Sequence, residues 1–177
     1  GKVNRKNAQL VVEALVTITD KSAEELIQVL NKFPGVSRRF EKITENVYSD
    51  YAHTPGKIRG ALQIAEEISG NVVVVYEGLH NTRQHFIRDE LDSLFEGTKK
   101  LYIVPSYLAR EDESLEMLTP EKLCKIAREP ADREPAELDE SLRSSIDGHV
   151  DGGDLVLCFS AGGGGSLDEW LRSEFKK

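Results

Sequence analysis

Nowhere in these 177 residues is there the run of roughly 18 apolar residues that a membrane span needs, so no transmembrane segment is expected. Cysteine is scarce. Cys124 and Cys158 stand in apolar surroundings without metal-type spacing, and they are expected as buried free thiols in a reducing cytoplasm. Cations are outnumbered, with 23 Lys and Arg against 31 Asp and Glu, and the net charge of −8 argues against a nucleic-acid groove. Neither G-x-x-x-x-G-K-[ST] nor G-x-G-x-x-G occurs, so the chain does not hold a triphosphate by a P-loop of its own. No Ser/His/Asp or Cys/His arrangement is legible, and no acid and histidine cluster has the spacing of a metal site. The start lacks a methionine, is broken by Glu13 and has no small-residue cleavage site. A piece of a longer protein is expected there, not a signal peptide.

What is present is the composition of a folded domain, 39% hydrophobic and 31% charged, long enough to bury one core and carry a small appendage. Residues 4–18 place Ala8, Val11, Leu15 and Ile18 close to helical spacing. "SAEELIQVLNKF" reads as a second amphipathic helix, opened by a Ser22/Glu25 capping box and stopped by Pro34-Gly35. Residues 1–34 are therefore expected to precede the main body, 35–177. There, "RRFEKITENVYSDYA" predicts a hairpin around Glu45-Asn46, and Thr54 and Pro55 open a helix that runs to Gly70. "NVVVVYEG", "KKLYIVP" and "GDLVLCFS" read as strands covered on both faces. Helices are predicted over "TRQHFIRDELDSLF", "TPEKLCKIA", "PAELDESLRSSI" and the stretch after the glycines of "AGGGGSLDEWLRSEF". Strands alternating with helices predict an α/β fold: a Rossmann-like open, mostly parallel sheet with helices on both faces.

Ligands of such sheets sit beyond the carboxyl ends of the strands. Four polar turns fall there: "SDYAHTP", "YEGLHNTR", "PSYLARED" and "SAGGGGS". Locally, Asp50 and His53 are either a strand end and a solvated ring or acceptors for ribose hydroxyls or an amine. His80, Asn81 and Arg83 are either the polar start of a helix or, through Arg83, a carboxylate clamp. "SAGGGGS" is either a flexible turn or an anion site at the helix start. Arg38-Arg39 reads as surface charge, and His85 and His149 as residues of surface or helix faces.

"GKVNRKNA", "FPGVSRRFE", "DYAHTP" and "NTRQHF", in this order and at these separations, resemble the C-terminal part of the Mur ligases. The likeness spans essentially the whole chain, and the "GVSRRFE" and "DYAHTP" pair resembles the alanine-adding and murein-tripeptide-recycling branches. Members are ATP-dependent enzymes that join amino acids or peptides to UDP-N-acetylmuramyl substrates in peptidoglycan synthesis. The resemblance implies a bacterial, cytoplasmic protein of three domains, of which residues 1–34 would be the helical tail of the central ATPase domain. Residues 35–177 would be the domain that brings the incoming amino acid or peptide. It implies that ATP activates the muramyl carboxylate as an acyl phosphate, with Mg²⁺ and the central domain carrying the phosphoryl transfer. The amine then displaces phosphate. Asn4 and Asn7 resemble the asparagines near the adenine, Arg39 the hinge arginine, and Asp50 the aspartate close to ATP in the closed state. His53, His80 and Arg83 fall to the substrate side.

Val3 stands where the family has a histidine near the adenine, whereas Leu79 and His80 depart from the alanine ligases' pattern and, together with the glycine-rich turn, point to a larger amine than free L-alanine as acceptor. The fragment alone is expected to be inactive, without catalytic residues of its own and without a tightly bound cofactor or metal. A stand-alone ligand-binding or interaction domain and a folylpolyglutamate-synthase-like ligase domain remain the alternatives.

Overall fold

The computed structural model describes residues 1–109 and 111–176. Two helices, α1 (Lys2–Ile18) and α2 (Ala23–Leu30), precede a hairpin of β1 (Glu41–Thr44) and β2 (Val47–Asp50). Helix α3 (Pro55–Ile68), strand β3 (Val72–Leu79), short helices α4 (Asn81–Phe86) and α5 (Arg88–Leu91), and strand β4 (Lys100–Tyr107) follow. The chain closes with α6 (Pro120–Ile126), β5 (Arg133–Pro135), α7 (Glu140–Asp151), β6 (Leu155–Phe159) and α8 (Leu167–Phe175). The six strands form one sheet in the order β1-β2-β6-β3-β4-β5. Only the β1–β2 pair is antiparallel.

The valine run explains the layers. Successive side chains of a strand alternate between faces, so Val72, Val74 and Tyr76 enter a core under α3, α5 and α6. Val73 and Val75 enter a second core under α7 and α8. Every residue of β3 is buried, as a parallel strand with helices on both sides requires. Each valine so enclosed contributes about 1.5–3 kcal/mol relative to exposure.

Local signals set several ends. Ser22 and Glu25 form the reciprocal capping box at α2, and Asp139 caps α7 by accepting from the Ser141 and Leu142 N–H groups. Three expectations need correction. Thr54 stands at the start of α3, but its side chain makes no capping bond, and Pro55 supplies the first-turn geometry. "TRQHFIRDELDSLF" is not one helix, because the chain breaks at Ile87 between α4 and α5. The helix expected from Pro135 starts at Glu140, since Arg133–Pro135 pairs with β4 as a sixth strand. His149 lies on a face of α7, half-buried, with Nδ1 2.8 Å from Asp154 Oδ2 and Nε2 3.0 Å from the Tyr102 hydroxyl.

Cys158 is buried and Cys124 half-buried, and both are free. Burial pushes the Cys124 thiol up to about 11, so it carries little thiolate at neutral pH. Among the described residues, no helix is long and apolar enough to cross a membrane.

Candidate functional site

The carboxyl ends of β2, β3, β4 and β6 lie side by side, and close contacts tie their loops together. The loop after β6 passes between two tyrosines. A Cβ on Gly162 (φ +71) would lie 2.8 Å from the Tyr51 ring, and one on Gly163 (φ +125) 2.6 Å from the Tyr107 hydroxyl. Only glycine combines such positive φ values with so near an approach. The Ser160 N–H donates to the Asp50 carbonyl, joining the same loop to the end of β2.

Glu77 holds the glycine turn from below. Its carboxylate accepts from the Ser160 hydroxyl, the Ala161 N–H at 2.7 Å and the Leu167 N–H at 3.0 Å. Burial pushes this carboxyl above its ordinary range, against the pull of those donors. An internal carboxylate thus already fills the start of α8, where an anion would otherwise bind. "SAGGGGS" is therefore an internally braced turn rather than an open phosphate loop.

The sequence-selected residues distribute as follows. Asp50 is buried and its Oδ2 accepts from the Phe40 N–H at 2.7 Å. Burial raises its carboxyl above the usual range, opposed by the Phe40 N–H and by nearby Arg39 and Lys57. That bond braces a turn in which Arg38 (φ 59) and Phe40 (φ 47) are both left-handed, a conformation that side chains disfavour. Arg38 reaches the buried Asp168 at 3.0 Å. Between them Arg39 is exposed and lies over the Tyr51 ring, 5.5 Å from its centroid.

His53 is half-buried, with Nδ1 3.0 Å from the Tyr51 carbonyl. Burial first, then Lys57, Arg83 and Arg39, hold it below the ordinary imidazole range, against the Tyr51 carbonyl. Arg39, Lys57 and Arg83 make no ion pair among the described residues, and Arg83 Nε is buried without a hydrogen-bond partner. In a chain of net charge −8, three unpaired cations around one imidazole are an anion-attracting patch.

His80 opens α4, its N–H donating to the Tyr107 carbonyl, and its Nδ1 lies 3.4 Å from Glu111 Oε1. Arg39, Asp50, His53, His80 and Arg83 are thus distributed over one rim. Asn4 and Asn7 are not brought to it. Their helix α1 packs on α3, where Arg5 pairs with Glu67, the Lys2 N–H donates to Gln63 and Val3 lies against Gly60.

Beside the cationic patch lies a groove of about 450 Å³ lined by Glu77, Ser106, Tyr107, Glu137 and Gly165 among others. The Ser106 and Ser166 hydroxyls are buried without partners among the described residues. Two carboxylates in the lining suit an ammonium group. Sequence reading missed Glu77, Lys57, Tyr107 and Glu111. For Glu77 a signal existed: a lone acid inside a fully apolar strand needs donors supplied by a neighbouring loop.

Residues 38–162 match the family described as Mur ligase, glutamate ligase domain. A UDP-N-acetylmuramate–L-alanine ligase from Gloeobacter violaceus is 29% identical over 166 residues, covering 92% of this chain and 36% of that protein. One from Rickettsia felis is 31% identical over 144 residues, covering 75% of this chain and 30% of that protein. The chain thus spans about a third of the length of these curated relatives. Among solved structures, a murein peptide ligase from Psychrobacter arcticus aligns over 100% of this chain and 38% of its own, with a TM-score of 0.61 at 22% identity. A folylpolyglutamate synthase from Mycobacterium tuberculosis, complexed with ADP and AMPPCP, aligns over 89% of this chain with a TM-score of 0.54 at 15% identity. At those identities the structures speak for the fold, whereas the match over 38–162 places the sequence itself: the chain belongs to the Mur ligase family, as its C-terminal, glutamate ligase domain.

Proposed function

We propose that this chain is the amine-delivering domain of an ATP-dependent ligase that joins an amino acid or peptide to a UDP-N-acetylmuramyl substrate in the bacterial cytoplasm. The observation that carries the reading is the pairing, on one rim, of a cationic patch with an acidic groove. The patch of Arg39, Lys57 and Arg83 fits phosphate or carboxylate oxygens presented from a facing domain. The groove with Glu77 and Glu137 fits the ammonium group of the acceptor.

Residues 1–34 belong, in this reading, to the end of the preceding ATPase domain. In support, α1, α2 and the segment after them expose Leu10, Ile18, Val29 and Phe33, each more than 60% accessible. Apolar surface on this scale fits burial against more protein. ATP fits as a co-substrate touched from one side only, by Arg39 and Lys57. Asp50 reaches it through the turn it braces, because one of its oxygens is already bound to the Phe40 N–H. Asn4 and Asn7 would reach the adenine from the preceding domain's side of the cleft. ATP supplies the phosphoryl group that activates the acid. In this reading Mg²⁺ belongs with the facing domain. This domain's own work is to orient the amine, exclude water and close the cleft.

The test is to express the complete open reading frame and measure phosphate release with UDP-N-acetylmuramate, ATP and a panel of amino acids and peptides. Release that requires both the muramyl acid and one amine is expected, and residues 1–177 alone should release none. In the full-length protein, Asp50→Ala should lower kcat at least about tenfold, or about 1.4 kcal/mol of barrier. Turnover of a folate with glutamate instead would move the protein to the folylpolyglutamate branch. Silence with every pair would leave a binding domain without catalysis.

A further inference from the structure

We propose that His80, backed by Glu111, is the base that takes the proton from the incoming ammonium group. The proposal rests on the ligase reading above and deepens it at the same rim.

The first observation is conformational. His80 sits at φ 56, ψ 134, outside the regions that residues with a Cβ occupy comfortably. Its side chain caps nothing in α4, and its backbone is pinned by the bond to the Tyr107 carbonyl. A glycine would meet the local backbone needs better, so the imidazole is held there against a conformational penalty.

The second observation is the partner. Glu111 is fixed by the Ala109 N–H, the Thr82 N–H and the Thr82 hydroxyl. Its Oε1 lies 3.4 Å from His80 Nδ1, an enclosed nitrogen with no hydrogen bond among the described residues. A carboxylate in that place favours the tautomer with the proton on Nδ1 and leaves the Nε2 lone pair free. Such contacts are often long before substrate binds and tighten in the complex.

The third is position. The ring is 29% exposed and its centroid is 6.5 Å from that of Tyr107, which lines the acidic groove. The other imidazoles of these loops are engaged: His53 Nδ1 at the Tyr51 carbonyl and His85 Nε2 at the Glu116 carbonyl. Among the described residues, the charged and titratable groups facing His80 are Glu111 from the loop after β4 and Tyr107 from β4, with Arg83 one turn further along α4.

The chemistry balances without any added reagent. At neutral pH an amino-acid amine is protonated and has no lone pair to attack with. One proton passes from the ammonium to His80 Nε2, giving an imidazolium neutralised by the Glu111 carboxylate. The freed lone pair forms the C–N bond at the carbonyl carbon of the acyl phosphate. The C–O bond to phosphorus breaks, phosphate leaves with that electron pair, and the second nitrogen proton goes to solvent.

The experiment uses the full-length protein and two acceptors: the amino acid or peptide that turns over, and hydroxylamine, which is already unprotonated at neutral pH. His80→Gln is expected to lower kcat with the protonated amine at least about 100-fold at pH 7, with less loss at pH 9 and KM for the amine within about threefold. Hydroxamate formation from hydroxylamine should persist. Glu111→Gln should move the pH profile the same way with a smaller loss. His80→Gly should be as inactive with the amine as His80→Gln yet melt at a higher temperature than wild type, which separates the role from folding. An equal loss with both acceptors, or a wild-type pH profile in His80→Gln, would overturn the role of His80 while leaving the ligase reading standing. A wild-type protein that releases no phosphate with any amine would remove the ligase reading and the role of His80 together.

Discussion

The two ends of the sheet solve the same problem of burying polar groups in opposite ways. At the amino end Asp154 is buried and completely paired. Lys99 Nζ reaches both of its oxygens at 2.8 and 2.7 Å, and His149 Nδ1 lies at 2.8 Å. Tyr102 closes the chain on the far side of the imidazole. At the carboxyl end three residues with side chains adopt left-handed φ values, Arg38, Phe40 and His80, against one, Asn46 in the hairpin turn, at the amino end. At the carboxyl end too, His80 Nδ1, Arg83 Nε, Ser106 Oγ and Ser166 Oγ are buried without partners among the described residues. Satisfied networks hold a fold together. Orphaned donors and strained turns persist where something else is to be bound. The asymmetry therefore separates scaffold from site on physical grounds, without reference to any relative.

The sharpest way to break this contrast is at its structural pole. Asp154→Ala leaves His149 without its acceptor and should destabilise the domain by about 2–3 kcal/mol, less than for a fully buried pair because Lys99 is half-exposed and can turn to water. Urea unfolding of residues 1–177 measures it. A loss below about 1 kcal/mol would mean that the amino-end network is ornamental and the contrast false. Next in size is Gly163→Ala. Its φ of +125 and the Tyr107 hydroxyl 2.6 Å from the new Cβ should together cost about 1–3 kcal/mol. Removing the hydroxyl in Gly163→Ala/Tyr107→Phe should return part of that loss, whereas a purely additive double variant would show that the turn and Tyr107 are not in contact.

The architecture was largely legible because burial on two faces writes itself into sequence. "NVVVVYEG" needs helices above and below, and the alternation of strands and helices sets the order of crossovers. What escaped were elements stabilised from elsewhere. Strand β5 is three residues ending in proline, and it exists because the Leu101 and Ala136 N–H groups find carbonyl partners across the β4 edge. The break between α4 and α5 keeps the apolar periodicity of one helix. Asn81, bonded to the Leu118 N–H and the Glu116 carbonyl, ties the start of α4 to the loop before α6. At the site, the turn motifs pointed to the rim. The roles of individual residues depended on tertiary donors: Asp50, read either as a strand end or as a ligand acceptor, takes the Phe40 N–H, whereas Glu77, which the sequence did not single out, organises the glycine turn. Asn4 and Asn7 carry no local signal of where α1 lies against α3.

The smallest expected effect is one of pH, and it opposes the two ends directly. Burial pushes the Asp154 carboxyl up, but Lys99 and His149 more than offset this, and it lies below its ordinary value of 3.8. Its contribution to stability is therefore present above that value and is lost as pH falls through the lower folded value. Asp50 is displaced the other way, raised by burial beyond what the Phe40 N–H, Arg39 and Lys57 recover. Its protonated form favours the fold, so that contribution is complete below 3.8 and is lost as pH rises through the elevated folded value. Asp50→Asn keeps an oxygen for the Phe40 N–H and removes the titration. Between pH 4 and 7 the wild type should accordingly lose stability relative to Asp50→Asn as pH rises. Relative to Asp154→Asn it should lose stability as pH falls below 4. Unfolding free energies of the three proteins across pH 3–7 would reveal the crossing, and parallel curves would mean that the rim carboxylate is as comfortably solvated as the surface ones.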